Sequence, residues 1–473
     1  MSSRDKSFQD RLKDIFKRNK GNTGNFPSRG EFVLSEDLLR DLSRDSPVTT
    51  RIKILRDLSD KVAVSKLENK NYGVWWKTYL EKKILQKPVT WHLLFLQCLL
   101  KGQSDKLKVM RAQFFRFIKH HDHPEDVGQR LDLLNTLTSN GKDILYFEEE
   151  VGPFLLNWLP DISKAGKIEE YLSMIDNVVK FNAAYLDDEV ITGFIQHICV
   201  LCCSTSNYKT VMSCLQIMAT VVAYSNMSPD SLPKFIGALC RTVNVEAYCM
   251  HSWKIMKNLL GTHMGHSALY TMCRILQEPA LRSDTDLLRG AVFYIHMSLW
   301  TSMPLSNLHC PPSSVLPSFL QAIKCNQAAV AYEVILGLRH LVNRYGLELQ
   351  DPAWSVLLQI ISYIVREIDI ASNQIPNKLI VAPLHETLNT IESLLEVGSY
   401  NGSVKQLFDV IEECSTDRPE NSILRLILYL SHSIVPTEHL WLTNLYNLLQ
   451  KYFKLELRTN IRLKVLDILA KRY

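Results

Sequence analysis

At 473 residues, 46% of them apolar, the chain is too long for one compact core and apolar enough for an extensive one. Several domains or one elongated repeat array are therefore expected, and with 18 Gly and 18 Pro a low-complexity chain is excluded. The net charge of +5 gathers in the first 20 residues, where seven Lys/Arg meet three Asp, so the near-neutral remainder argues against a nucleic-acid footprint spread over the body.

In that basic head, Phe8, Leu12, Ile15 and Phe16 fall at i, i+4, i+7 and i+8. The spacing predicts an amphipathic helix. It is read as a soluble N-terminal helix, with a membrane- or partner-docking helix as the alternative. The head lacks the unbroken apolar run of a signal peptide. GNTGNFPSRG at 21–30 is a linker. Residues 1–30 are thus assigned to a basic, partly disordered tail and linker, and residues 31–473 to a single helical-repeat domain.

Helical patterns then follow one another. Thr90 to Leu100 is an apolar helix with Thr90 as its N-cap and Gly102 as its stop. Pro124 opens the next, along which Val127, Leu131 and Leu134 line one face, and Gly141 ends it. Glu148, Glu149 and Glu150 open another, where negative charge favours the helix dipole. Residues 190–208 and 210–229 hold no Asp, Glu, Lys or Arg. Their lengths approach that of a membrane span. Gln196, His197 and Asn207 in the first, and the Val211, Leu215, Met218, Val222 stripe in the second, favour a buried helical hairpin instead.

Ser228-Pro229 opens a further helix, and Asn244 to Leu260 ends at Gly261. In LLRGAVFYIHMSLW (287–300), Leu288, Val292, Ile295 and Leu299 form one stripe and Phe293, Met297 and Trp300 another. A helix apolar nearly all round needs neighbours on both sides, and Gly290 is expected to admit a close one. Val330, Val334, Leu338, Leu341 and Tyr345 make the next stripe, stopped by Gly346, and Leu357, Ile361, Ile364 and Ile368 the one after. No segment alternates with period two, so almost no sheet is expected. The fold class is all-α: an α-solenoid of HEAT/armadillo-like hairpins, about 20 to 22 helices in units of about 43 residues.

Catalytic signatures are missing: there is no GxxxxGK[ST], HExxH or GxSxG. The 11 cysteines lie mostly in apolar helical patterns, such as Cys98 and Cys273, and read as free thiols of a reducing compartment. Cys199, Cys202 and Cys203 form a lone CxxC cluster, read as helix-core thiols rather than a zinc site. His120, His121, Asp122 and His123 have metal-like composition but sit in a predicted loop, and His263 and His266 follow Gly261. Neither set is read as ligands. No catalytic, cofactor-binding or metal-binding residue is assigned. Arg241, Lys254, Lys257 and Arg274 fall around adjacent predicted helices and are the candidate partner-binding residues, a plain solvated surface being the alternative.

Longer strings point further. NLLGTHMGHSALYTMC (258–273), SLPKFIGALCRTVNV (231–245), LLRGAVFYIHMSLW (287–300) and SVLPSFLQAI (314–323) resemble the tuberin N-terminal domain family. So do MRAQFFRFIKHHD (110–122), LTSNGKDILYFEEE (137–150), VKFNAAYLDDE (179–189) and IRLKVLDIL (461–469), collinear from residue 31 onward. The resemblance implies a HEAT-type region that binds the coiled coil of hamartin and so assembles the tuberous sclerosis complex. That complex activates GTP hydrolysis by Rheb and restrains TOR signalling. The resemblance also implies a cytoplasmic protein recruited with its complex to the lysosomal membrane, peripherally and with no transmembrane segment, and allows a nuclear pool. Catalysis in the family resides in a C-terminal domain with a catalytic asparagine, a role no residue here inherits. The chain is expected to be a non-catalytic part, cut at its C-terminal edge. The alternatives are a region that itself regulates a GTPase and a generic HEAT adaptor of the transport-receptor kind.

Overall fold

The computed structural model describes residues 107–413, apart from 302, 303, 306 and 369–374, together with single positions on either side. The expected head helix, the 21–30 linker, the matching string at 461–469 and the C-terminal edge lie essentially outside the described residues. Within 90–100, Leu93 and Leu100 are described singly, helical and buried.

Fifteen α-helices and five short 3-10 turns occupy the described residues, and no strand occurs among them. The chain divides into two compact units, residues 1–181 and 182–473. The single domain expected over 31–473 spans both.

The first unit holds α1 (Met110–His120), α2 (Val127–Leu137), α3 (Glu148–Lys164) and α4 (Ile168–Asn182). Pro124 starts a 3-10 turn that leads into α2, and Gly141, at φ 82°, stands after its end. The core of this unit is aromatic. Phe115 of α1 stacks on Phe147 at 4.6 Å and meets Phe154 of α3 edge-on at 5.5 Å. Two buried arginines hold the connections. Arg111 pairs with the Asp143 carboxylate at 2.6 Å and donates to the carbonyls of Leu137 and Asp143. Arg130 donates to the Ile118 carbonyl at 2.9 and 3.1 Å, and its guanidinium lies over the Trp158 ring at 4.9 Å. Carbonyls and a π face thus take up much of the hydrogen-bonding and charge that burial would otherwise strand.

The second unit is the repeat stack. One row comprises α5 (Asp188–Ser204), α7 (Leu232–Thr242), α10 (Thr285–Leu299), α12 (Ala328–Tyr345) and α14 (Ile375–Glu396), each packed on the next. The other comprises α6 (Tyr208–Tyr224), α8 (Glu246–Leu260), α9 (Gly265–Gln277), α11 (Pro312–Ala322), α13 (Asp351–Glu367) and α15 (Val404–Glu413). The uncharged stretches form the α5–α6 hairpin. No described helix is long and apolar enough to cross a membrane.

Caps set the phase. Asn207 accepts from the backbone of Lys209 and Thr210 to open α6, and Asp284 accepts from Leu287 to open α10. Gly261 ends α8 and Gly346 ends α12, as the sequence indicates. At Gly290 the close approach is direct: a Cβ there would lie 2.0 Å from the Cys240 carbonyl oxygen, so α10 rests its backbone on α7. Strict alternation of rows fails at one place. Consecutive helices α8 and α9 share a row, joined by residues 261–264 and held by Asn307, which donates to the Leu260 carbonyl at 2.9 Å.

Side-chain bonds between successive repeats show the period. Arg241 bonds Asp284, 43 residues on, and Asn244 bonds the Asp286 carbonyl, 42 on. His296 meets His340, 44 on, and Arg339 and Arg366 reach Glu386 and Glu413, each 47 on. These separations bracket the unit length read from the sequence.

Candidate partner-binding surface

The four candidate residues do not form one set. Arg241, near the end of α7, is half-buried. Its Nη2 and Nε donate to Asp284 at 2.6 and 3.1 Å, and its Nη1 to the Gly237 carbonyl at 3.0 Å. Because Asp284 also caps α10, Arg241 links one repeat to the next. Its guanidinium also lies close enough to the Cys203 thiol to act against the upward push of burial there.

Lys254 and Lys257 stand on α8 and Arg274 on α9, all exposed, and none makes an ion pair among the described residues. The two helices pack side by side. Met250 is 72% exposed on α8 and Tyr270 66% exposed on α9. Each lies four residues before one of these cations, so apolar and cationic side chains share the same stripes.

A buried polar group between α10 and α12 was not anticipated. His296 is 2% and Glu333 4% exposed. His296 Nε2 donates to Glu333 Oε1 at 2.9 Å, and Arg289 Nε reaches Oε2 at 3.3 Å. Nδ1 of His296 lies 3.3 Å from Nδ1 of His340. With Nε2 of His296 turned to the carboxylate, the two Nδ1 atoms face each other, and one ring donates to the other. Burial, then the nearby His296 and Arg339, pushes the His340 imidazole below its ordinary 6.5, while Glu333 pulls it the other way. A sequence signal existed: Arg289 and His296 are seven apart on α10, Glu333 and His340 seven apart on α12, on helices otherwise apolar at those faces.

The remaining candidates resolve into packing and capping. Cys199 and Cys202 are buried in α5. Burial lifts the Cys199 thiol above its usual range, and the Cys202 thiol is hydrogen-bonded to Cys214 of α6. His121 Nε2 meets Asp126 at 3.0 Å, and His120 Nδ1 meets the Arg116 carbonyl at 2.6 Å. His263 and His266 are exposed. No group of three or more His, Cys, Asp or Glu that could hold a metal occurs among the described residues. Glu150, in the first turn of α3, pairs with Arg116 and Lys119. Burial raises its carboxyl, and the two cations outweigh that and bring it below the ordinary value. In a groove of about 400 Å³ between α13 and α15, Arg366 and Ser362 both bond Glu413.

Stacked helices, a period in the forties and an exposed mixed face define an α-solenoid, a class that works through its surface. The chain also matches, over residues 48–470, the family model described as a domain of unknown function (DUF3384). It belongs to that family, which is that of the tuberin N-terminal domain, and is a tuberin-like N-terminal region. A solved structure described as that of the TSC2 N-terminus shares the fold. It superposes with a TM-score of 0.64 at 17% identity, over 76% of this chain and 94% of that one. A crystal structure of an engineered protein aligns over 82% of this chain with a TM-score of 0.33 at 10% identity.

Proposed function

We propose that this chain is the docking arm of a tuberin-like protein: a scaffold that binds the hamartin coiled coil and so assembles a tuberous sclerosis complex that activates GTP hydrolysis by Rheb and restrains TOR signalling. The family match over residues 48–470 carries this reading. The physical mechanism is burial of one long face of stacked helices against an elongated helical partner. The GTPase-stimulating chemistry is assigned to a different part of the parent protein, and the chain itself is read as non-catalytic. The same reading places it in the cytoplasm, reaching lysosomal membrane through its complex.

Two measurements test this. The purified chain should retain a hamartin coiled-coil segment in a pull-down at physiological salt, and loss of retention at both low and physiological salt defeats the proposal. In a single-turnover assay with Rheb, the chain should leave GTP hydrolysis at its intrinsic rate. Acceleration by the chain alone would make it a GTPase regulator in its own right. A generic HEAT adaptor shares the fold, but the family match gives no support to it.

A further inference from the structure

We propose that the outer face of α8 and α9 seats an amphipathic α-helix of a partner protein, its apolar stripe against Met250 and Tyr270 and its acidic residues against Lys254, Lys257 and Arg274. The inference rests on the scaffold reading above and gives it an address and a chemistry.

Charge is the first observation. Residues 190–283 hold seven Lys/Arg and only three carboxylates, Asp230, Glu246 and Glu278. Helices α6, α9 and α11 contain no Asp or Glu, and α8 contains one, at its first position, where it suits the dipole. Elsewhere in the same unit Arg241, Arg289, Arg339 and Arg366 each hold a carboxylate. Lys254, Lys257 and Arg274 have no ion pair among the described residues, so their complement comes from outside.

Shape is the second. Met250, Lys254 and Lys257 run i, i+4, i+7 along α8, and Tyr270, Arg274 and Gln277 do the same along α9. Packed helices stand about 8–10 Å apart, so two such stripes flank a furrow that a third helix fills. An amphipathic helix laid in a groove is read by anchors at this same spacing.

Composition decides between kinds of partner. Exposed Met, Tyr and Arg are the residues enriched at the centres of protein interfaces, whereas a lipid or nucleic-acid surface calls for denser basic clusters. Three cations over two helices are too sparse for the latter.

The test uses the full chain and the hamartin coiled-coil segment as probe, with affinity measured at two salt concentrations. The triple variant Lys254→Glu/Lys257→Glu/Arg274→Glu should bind about tenfold more weakly or worse, because each exposed pair becomes a like-charge contact. Met250→Ala/Tyr270→Ala should weaken binding to a similar degree. A control reversal at exposed cations elsewhere, Lys164→Glu/Lys378→Glu, should stay within about twofold of wild type. All these sites are exposed, and equal thermal melts verify that each variant folds. Wild-type affinity in the triple variant overturns this address while leaving the scaffold reading intact. Failure of the wild-type chain to bind defeats the scaffold reading itself. Binding of wild type to phosphatidylserine vesicles, abolished in the triple variant while coiled-coil binding persists, overturns the choice of a helical protein partner.

Discussion

Protonating His340 is unfavourable in the folded chain, because burial strips its solvent and His296 and Arg339 lie nearby, while Glu333 opposes them. An unfolded histidine takes up its proton near 6.5, whereas the folded one resists until lower pH. Across that window the unfolded state binds more protons, so stability rises with pH. The contribution is present above 6.5 and is lost as the pH falls through the lowered folded value. Urea midpoints of wild type should therefore decline from pH 7.5 to pH 5.5 more steeply than those of His340→Gln. Equal slopes would show that this imidazole does not titrate differently on folding. Its partner Glu333 presents a harsher case. Glu333→Gln leaves His296 and Arg289 facing an uncharged amide inside the stack, and losing hydrogen bonds to a buried charged group costs about 1.5–3 kcal/mol. Arg289→Gln, at a half-exposed site, should cost about 1 kcal/mol or less. Chemical denaturation at pH 7.5 ranks the two, and the reverse ranking would place the anchor of the cluster on the arginine.

At the scale of the helix, close approach separates two glycines on neighbouring members of one row. A methyl at Gly290 would meet backbone, the Cys240 carbonyl, at 2.0 Å, so α10 must lift off α7. At Gly337 the nearest atoms are His296 Cβ at 3.1 Å and the Phe319 ring at 3.2 Å, contacts that a shift of a few tenths of an ångström relieves. Gly290→Ala should destabilise by about 1–3 kcal/mol, the usual range for overpacking, and Gly337→Ala by less. Thermal melts of the two variants decide it. Gly290 was legible in the sequence because bulky apolar residues surround it on a helix that is apolar nearly all round. The stops at Gly261 and Gly346 were legible for a similar reason: periodicity and its interruption are local. The shared row of α8 and α9 was not, because which helix packs beside which depends on contacts between distant segments. Arg241 was misleading for the same reason. Helix phase places it at the surface, and nothing nearby announces that Asp284, 43 residues away, holds it.

For the molecule, the governing fact is that helices in the second unit contact their neighbours and bond at intervals of about one repeat. Stability in such a stack is a sum of repeat and interface contributions, so damage should stay near its origin. Trp354 tests this. It is fully buried in α13 and its ring lies 4.8 Å from that of Tyr400, the residue that leads toward α15. Trp354→Ala should cost about 3–5 kcal/mol locally, as large-to-small changes at buried aromatics do. Hydrogen exchange should then quicken across α11 to α15, that is α11, α12 and α15, which α13 contacts directly, and α14, which packs on α12. Amides of α5 to α7, several interfaces away, should keep their protection, because local opening is confined to the element that lost its packing. Equal quickening in both places would mean that the unit unfolds as one cooperative block. A docking face on α8 and α9 sits between these two regions, so the same experiment reports how far a lesion must travel before it disturbs the surface that meets the partner.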